Sequence, residues 1–258
     1  MLEEIGVKVW MPSVSVPVLE AAPVAVAPAP ARAPVQTVSA PAPASPVQMA
    51  SKALPSSRAD IAHMGWDELQ QTVANCQACG LCKTRKNTVF GVGHPQARWL
   101  IVGEAPGENE DIQGEPFVGQ AGKLLDNMLK ALGLSRAAED ASKAVYIANV
   151  LKCRPPGNRN PAPEEVLQCE PFLRRQVALL QPQIILALGR FAVQSVLQAT
   201  VPDVANVPLG RLRGQVHQYE GVPVVVSYHP AYLLRSPQEK VKTWEDLCLA
   251  WSVMEGQT

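Results

Sequence analysis

The 258-residue chain has no net charge, because Lys+Arg and Asp+Glu balance at 23 each. Whole-molecule electrostatics therefore steer no partner, and any contact with nucleic acid has to come from a local basic patch. Also missing are an apolar run long enough to cross a bilayer and a basic start followed by an apolar stretch with a small-residue cleavage site. The chain reads as cytoplasmic, with no membrane contact. Cysteine is sparse at six residues. In a reducing compartment that number suits metal binding or catalysis better than a disulfide framework.

From Pro12 to Pro55 the chain has few large apolar side chains and holds ten of its 24 prolines. Such composition cannot offset the entropy of ordering, so residues 12–58 read as a disordered Pro/Ala-rich linker. Ahead of it, MLEEIGVKVWM places Ile5, Val7, Val9 and Trp10 in a segment too apolar for an idle tail and too short for a core. Residues 1–11 read as a docking peptide for a protein partner, with a frayed terminus as the alternative.

Residues 59–258 carry the pattern of a folded domain. ARWLIVGEA, AVYIANVLK, QIILALG and PVVVSYH are nearly continuous apolar runs, as expected of strands buried on both faces of a parallel sheet. Between them lie the helix-length segments VGQAGKLLDNMLKALG, PAPEEVLQCEPFLRRQVALL and RFAVQSVLQ. A last helix spans SPQEKVKTWEDLCLAWSVME, with Ser236 as its N-cap and Cys248 an ordinary buried thiol on it. Alternating strands and helices predict an α/β fold, a three-layer α/β/α sandwich around a central four-stranded, mainly parallel sheet.

Ligands of such sheets gather beyond the carboxyl ends of the strands. There the first strand runs into GEAPGENEDIQGEPFVGQAG, which lacks the Lys-Ser/Thr pair of a phosphate-binding loop and carries five acidic residues that would repel phosphate. The second strand ends at Asn149 and the fourth at His229. An amide, a histidine, acidic groups and one aromatic, Phe117, can converge on one pocket. Taken singly, a histidine or asparagine is more often structural; the shared position at strand ends favours function.

Cys76 and Cys79 in NCQACGLC share one face when they lie near a helix end, and Cys153 and Cys169 supply a second pair. Four thiolates at C-x2-C plus C-x15-C suit either a four-iron four-sulfur cluster or a structural zinc ion, and spacing does not choose between them. Lys83, Arg85, Lys86, Lys152, Arg154 and Arg159 make this neighbourhood basic, suited to phosphate contact.

GEAPGENED, PFVGQAG, NVLKCRPPGNRNP and HPAYLLR, in that order, resemble the motifs of family 4 uracil-DNA glycosylases, the iron-sulfur branch of their superfamily. The likeness runs from about Cys76 to Trp244. It implies a base-excision-repair enzyme, a monomer acting on uracil-containing DNA, that flips uracil out and hydrolyses its N-glycosidic bond. Phe117 would stack on the base and Asn149 would read its O4 and N3–H edge. His229 would supply the electrophile at O2, and Glu104 and Ala105 would line the uracil site. In the best-known branch an aspartate orients the water, but the matching position here is Ala105, so Glu104, Glu110 and Asn158 are the candidates for catalytic support. Leu233 or Leu234 would fill the hole left by the flipped base, with Arg235, Arg154 and Arg159 on the DNA backbone. For Cys76, Cys79, Cys153 and Cys169 the resemblance selects the four-iron four-sulfur cluster.

Two other classes compete. A non-catalytic, metal-stabilised nucleic-acid-binding or DNA-polymerase-accessory protein would need basic and aromatic residues, but not a convergent set of His229, Asn149 and Phe117. A relative that traps DNA through a histidine in an inserted loop is disfavoured, since the segment from Cys153 to Cys169 has no histidine.

Overall fold

The computed structural model describes residues 58–256. The expected docking peptide and linker lie outside the described residues, apart from Arg58, where the first helix starts. In chain order the elements are α1 (Arg58–Ile61), α2 (Trp66–Ala74), β1 (Val92–Gly93), β2 (Trp99–Gly103), α3 (Glu108–Gln113), α4 (Gln120–Ala131) and β3 (Val145–Asn149). There follow α5 (Pro163–Leu180), β4 (Ile184–Leu188), α6 (Arg190–Leu197), α7 (Leu209–Leu212), β5 (Val216–Tyr219), β6 (Val222–Ser227), α8 (Pro230–Arg235) and α9 (Lys240–Met254).

The sheet has six strands in the order β1-β3-β2-β4-β6-β5, not the four expected. The middle four are the apolar runs read from the sequence, and they pair in parallel. The two missed strands are antiparallel edges. Each escaped detection for a physical reason. β1 has only two residues, and in β5 (VHQY) only Tyr219 is buried, so neither needs a continuous apolar run. β5 joins β6 through Glu220 and Gly221, both at positive φ (48° and 79°), the conformation of a tight hairpin.

Side-chain alternation along the middle strands divides the core between two faces. Leu100, Val102, Tyr146, Ala148, Ile185, Ala187, Val224 and Val226 pack with Leu173 and Val177 of α5 and with Val193 and Val196 of α6. Trp99, Ile101, Val145, Ile147, Ile184, Leu186 and Val225 pack with Leu125 and Leu129 of α4 and with Leu247 and Ala250 of α9. Helices therefore cover both faces of the sheet.

One local element is added and two readings change. The acidic segment after β2 is helical over Glu108–Gln113, with acids in its first turn, where they complement the helix dipole, and Gly114 ending it at φ 79°. Ser236 makes no side-chain cap; a short 3-10 turn (Pro237–Glu239) precedes α9. Cys248 is exposed rather than buried.

Candidate active site

Because β2, β3, β4 and β6 are parallel, their carboxyl ends share one edge, and a cleft of about 520 Å³ opens there. Glu104, Ala105, Glu110, Phe117, Asn149, Asn158, Arg159, His229 and Arg235 all line it. Residues more than a hundred positions apart in sequence thus meet in one place.

His229 lies two residues beyond β6 and is the N-cap of α8. The Ala231 amide donates to its Nδ1 at 3.1 Å, so Nδ1 carries the lone pair and the proton of the neutral ring sits on Nε2. Burial, with the Arg235 cation beside it and against the opposing pull of Glu110, holds His229 down at about 4. The ring is therefore neutral at physiological pH. It stacks on Phe117 with centroids 5.4 Å apart.

The stem of His229 is anchored from behind. Ser227 ends β6, and its hydroxyl donates to Asp246 Oδ2 at 2.6 Å. Asp246 also accepts from Arg213, at 2.7 Å from Nε and 2.9 Å from Nη2. The Arg213 guanidinium lies 4.6 Å from the centre of the Tyr228 ring. A buried carboxylate paired in this way ties α9 to the strand end that carries His229.

Asn149 ends β3 and is 2% exposed, yet its Oδ1 has no hydrogen-bond partner. A buried acceptor left unpaired costs about 1–3 kcal/mol; Trp99 Nε1 and Thr243 Oγ1 are also buried without a partner, but only Asn149 lines the cleft, where a ligand could pair with it. Two glycines make room for this edge of the site. A Cβ on Gly103 would lie 2.4 Å from Asn149 Oδ1 and 2.7 Å from the Phe117 ring, and one on Gly122 would lie 1.7 Å from the Phe117 carbonyl oxygen. Gly122→Ala must therefore displace the Phe117 peptide, and we expect both a lower melting temperature and a loss of activity, measurable by thermal denaturation and a rate assay.

Residues 90–248 match the Uracil DNA glycosylase superfamily. The chain is 47% identical over 176 residues to the type-4 uracil-DNA glycosylase of Archaeoglobus fulgidus, covering 67% of this chain and 84% of that one. The Sulfurisphaera tokodaii and Thermotoga maritima type-4 enzymes are 40% and 41% identical, covering 70% and 67% of this chain and 80% and 85% of their own. The chain belongs to the type-4 uracil-DNA glycosylases. It is a base-excision-repair glycosylase, a DNA-binding hydrolase of N-glycosidic bonds. Among the described residues no helix is long and apolar enough to cross a membrane.

In this type-4 glycosylase the expected supporting groups differ in what they touch. Glu104 lines the cleft, and burial raises its carboxyl above the usual range. Glu110 is committed to the backbone: its Oε1 accepts from the amides of Val118 (2.9 Å) and Gly119 (3.2 Å) ahead of α4. Asn158 accepts from Arg154 Nε at 2.8 Å, which engages its carbonyl oxygen. Arg159 forms a fork on Glu165, with contacts of 2.9 and 2.5 Å, so its charge is already paired.

Two basic or apolar assignments are revised by burial. Lys152 is 1% exposed and donates to the Asn149 carbonyl (2.8 Å) and to Gln176 (2.6 Å), so it braces the strand end and faces no phosphate. Leu233 is fully buried while its neighbour Leu234 is 45% exposed, so Leu233 is no DNA contact.

The four-iron four-sulfur cluster expected on Cys76, Cys79, Cys153 and Cys169 is corrected. Among the described residues no group of three or more His, Cys, Asp or Glu side chains is arranged to hold a metal ion. The four cysteines border one cavity of only about 10 Å³, room for about one water. Burial pushes the Cys169 thiol up to about 12 and raises Cys79 and Cys153, as expected of thiols packed among apolar side chains. Arg85 Nη1 donates to Cys153 Sγ at 3.0 Å. Together with Leu81 and Leu151, Cys153 and Cys169 form a small apolar cluster against which Cys79 and Ala105 of the cleft wall pack.

Proposed function

We propose that the cleft receives a uracil flipped from DNA, with Phe117 against its face, Asn149 on its O4 and N3–H edge, and Glu104 and Ala105 along its rim. The observation that carries this reading is the unpartnered Asn149 Oδ1, buried beside the Phe117–His229 stack. An amide can accept from N3–H while donating to O4, a pattern that cytosine, with donor and acceptor exchanged, does not match.

As the glycosidic bond breaks, negative charge collects on uracil O2. The Nε2–H of a neutral His229 is aimed by its Nδ1 cap and can stabilise that charge without an imidazolium. Positive charge on the sugar is met by Glu104, and Asn158 retains an amide N–H for the attacking water. Water adds at the sugar carbon and gives up a proton to solvent, uracil leaves with the bond's electron pair and takes up a proton, and an abasic site remains.

Leu234 would act as the wedge in the duplex, with Arg235 and Arg154 on phosphates. The enzyme would act as a monomer, since one cleft holds every group the chemistry needs. Six unpaired cysteines suit a reducing cytoplasm. Residues 1–11 would dock a protein partner.

The test uses single- and double-stranded oligonucleotides carrying one uracil, with abasic sites cleaved by alkali. Leu234→Ala should slow excision from the duplex by about tenfold and spare the single strand, where no stack must be refilled. Leu233→Ala should instead cost about 2–5 kcal/mol of stability, read by urea denaturation. Equal loss on both substrates for Leu234→Ala would sink the wedge assignment.

A further inference from the structure

Phe117 sits in the left-handed region at φ 54°, a conformation that a bulky residue holds only when its surroundings impose it. Four hydrogen bonds flank it. On the far side of the peptide chain, the amides of Val118 and Gly119 are held by Glu110. On the near side, Arg136 donates from Nη1 to the Pro116 carbonyl at 2.7 Å and from Nη2 to the Phe117 carbonyl at 3.2 Å. Its Nε donates to Asp126 at 2.8 Å, which orients the fork, and the side chain is 16% exposed.

Arg136 does not border the cleft, and it stands on a fixed base. Its neighbour Ser135 is bonded to the start of β3 in both directions, from Ser135 N to the Lys143 carbonyl (2.9 Å) and from Val145 N to the Ser135 carbonyl (3.2 Å). The planar guanidinium can satisfy two successive carbonyls at once, which a lysine ammonium on a flexible stem does not reproduce.

We infer that Arg136 is a positioning residue for excision: by holding the Pro116 and Phe117 carbonyls it fixes the strained Phe117 backbone and so the plane on which the base stacks. This rests on the assignment of Phe117 as the stacking surface. Glu110, expected from the sequence near the chemistry, is the opposite jaw of the same clamp.

A double-mutant cycle on the full chain tests it, using single-turnover excision from a single-stranded uracil oligonucleotide together with melting temperatures. Arg136→Met should lower the rate by about 10- to 100-fold, the cost of a misplaced contact. On a Phe117→Ala background the same change should cost less than about threefold, because the group it positions has gone. Arg136→Lys, which keeps the charge and the reach to Asp126, should fall between Arg136→Met and wild type, and it serves as the readout if the methionine variant does not fold. Equal costs on both backgrounds with Phe117→Ala itself defective, or wild-type rates in Arg136→Lys, would overturn the inference. Wild-type rates in Phe117→Ala would overturn the stacking assignment, and the inference with it.

Discussion

Replacing His229 with alanine should lower the single-turnover excision rate by about 10²–10³-fold, the loss typical of removing one preorganised donor to a developing oxyanion. The effect is large because the donor is fixed before substrate arrives: the Ala231 amide occupies Nδ1, so the only proton of the neutral ring is on Nε2. The pH profile separates this role from that of a general acid. With the ring held at about 4, wild-type activity should show no His229 titration between pH 5 and 8. It should fall only as pH drops through about 4, where a protonated Nδ1 would oppose the Ala231 amide.

Stability follows the same shift with a definite sign. In the unfolded chain the histidine titrates near 6.5, so between pH 6.5 and 4 the unfolded state binds the extra proton and acid favours unfolding. Above pH 6.5 the group has no effect, and across the window it removes about 3 kcal/mol. His229→Gln should flatten that part of the curve of unfolding free energy against pH. A wild-type rate that instead falls as pH rises through about 6.5 would show that the imidazolium, not the neutral ring, is the working form.

Asn149→Ala should reduce kcat/KM on uracil by about 10²–10³-fold while leaving stability nearly unchanged, a combination that separates a ligand-binding group from a structural one. In the free protein Asn149 Oδ1 has no partner, so truncation gives up no internal hydrogen bond there and relieves an unpaired buried acceptor. The lost packing offsets part of that relief. With substrate, the same truncation leaves O4 and N3–H of the flipped base unpaired in a buried site. Asn149→Asp should lose activity too, since a carboxylate faces O4 with an acceptor, and its buried charge should lower the melting temperature. Retained activity in the alanine variant would remove Asn149 from the base-reading role.

The middle of the molecule was legible in the chain because its physics is local. Strands buried on both faces must be apolar throughout, so WLIV, VYIA, IILAL and VPVVV announce themselves, and their carboxyl ends indicate where Asn149, Phe117 and His229 should meet. Edge strands carry no such demand, and β1 and β5 passed unnoticed. The motif order was enough to suggest the family, which the 47% identity to the Archaeoglobus fulgidus type-4 enzyme establishes.

Other features depended on packing between distant segments. Leu233 and Leu234 are adjacent and chemically alike, but on α8 successive side chains point about 100° apart, and only the neighbouring helices decide which is buried. The cysteine spacing allowed a metal centre, whereas in the fold the thiols border a tight, largely apolar cavity. Glu110 reads from the sequence as a candidate near the chemistry and Arg136 as an ordinary surface residue, and nothing local shows that they grip opposite sides of the Phe117 turn. The parallel core and the residue types at the strand ends follow from the order of residues along the chain, through the cost of burying polar groups. Tertiary structure alone decided which side chains face the cleft, which hold the backbone and which fill the core, because those roles depend on contacts between residues far apart in the chain.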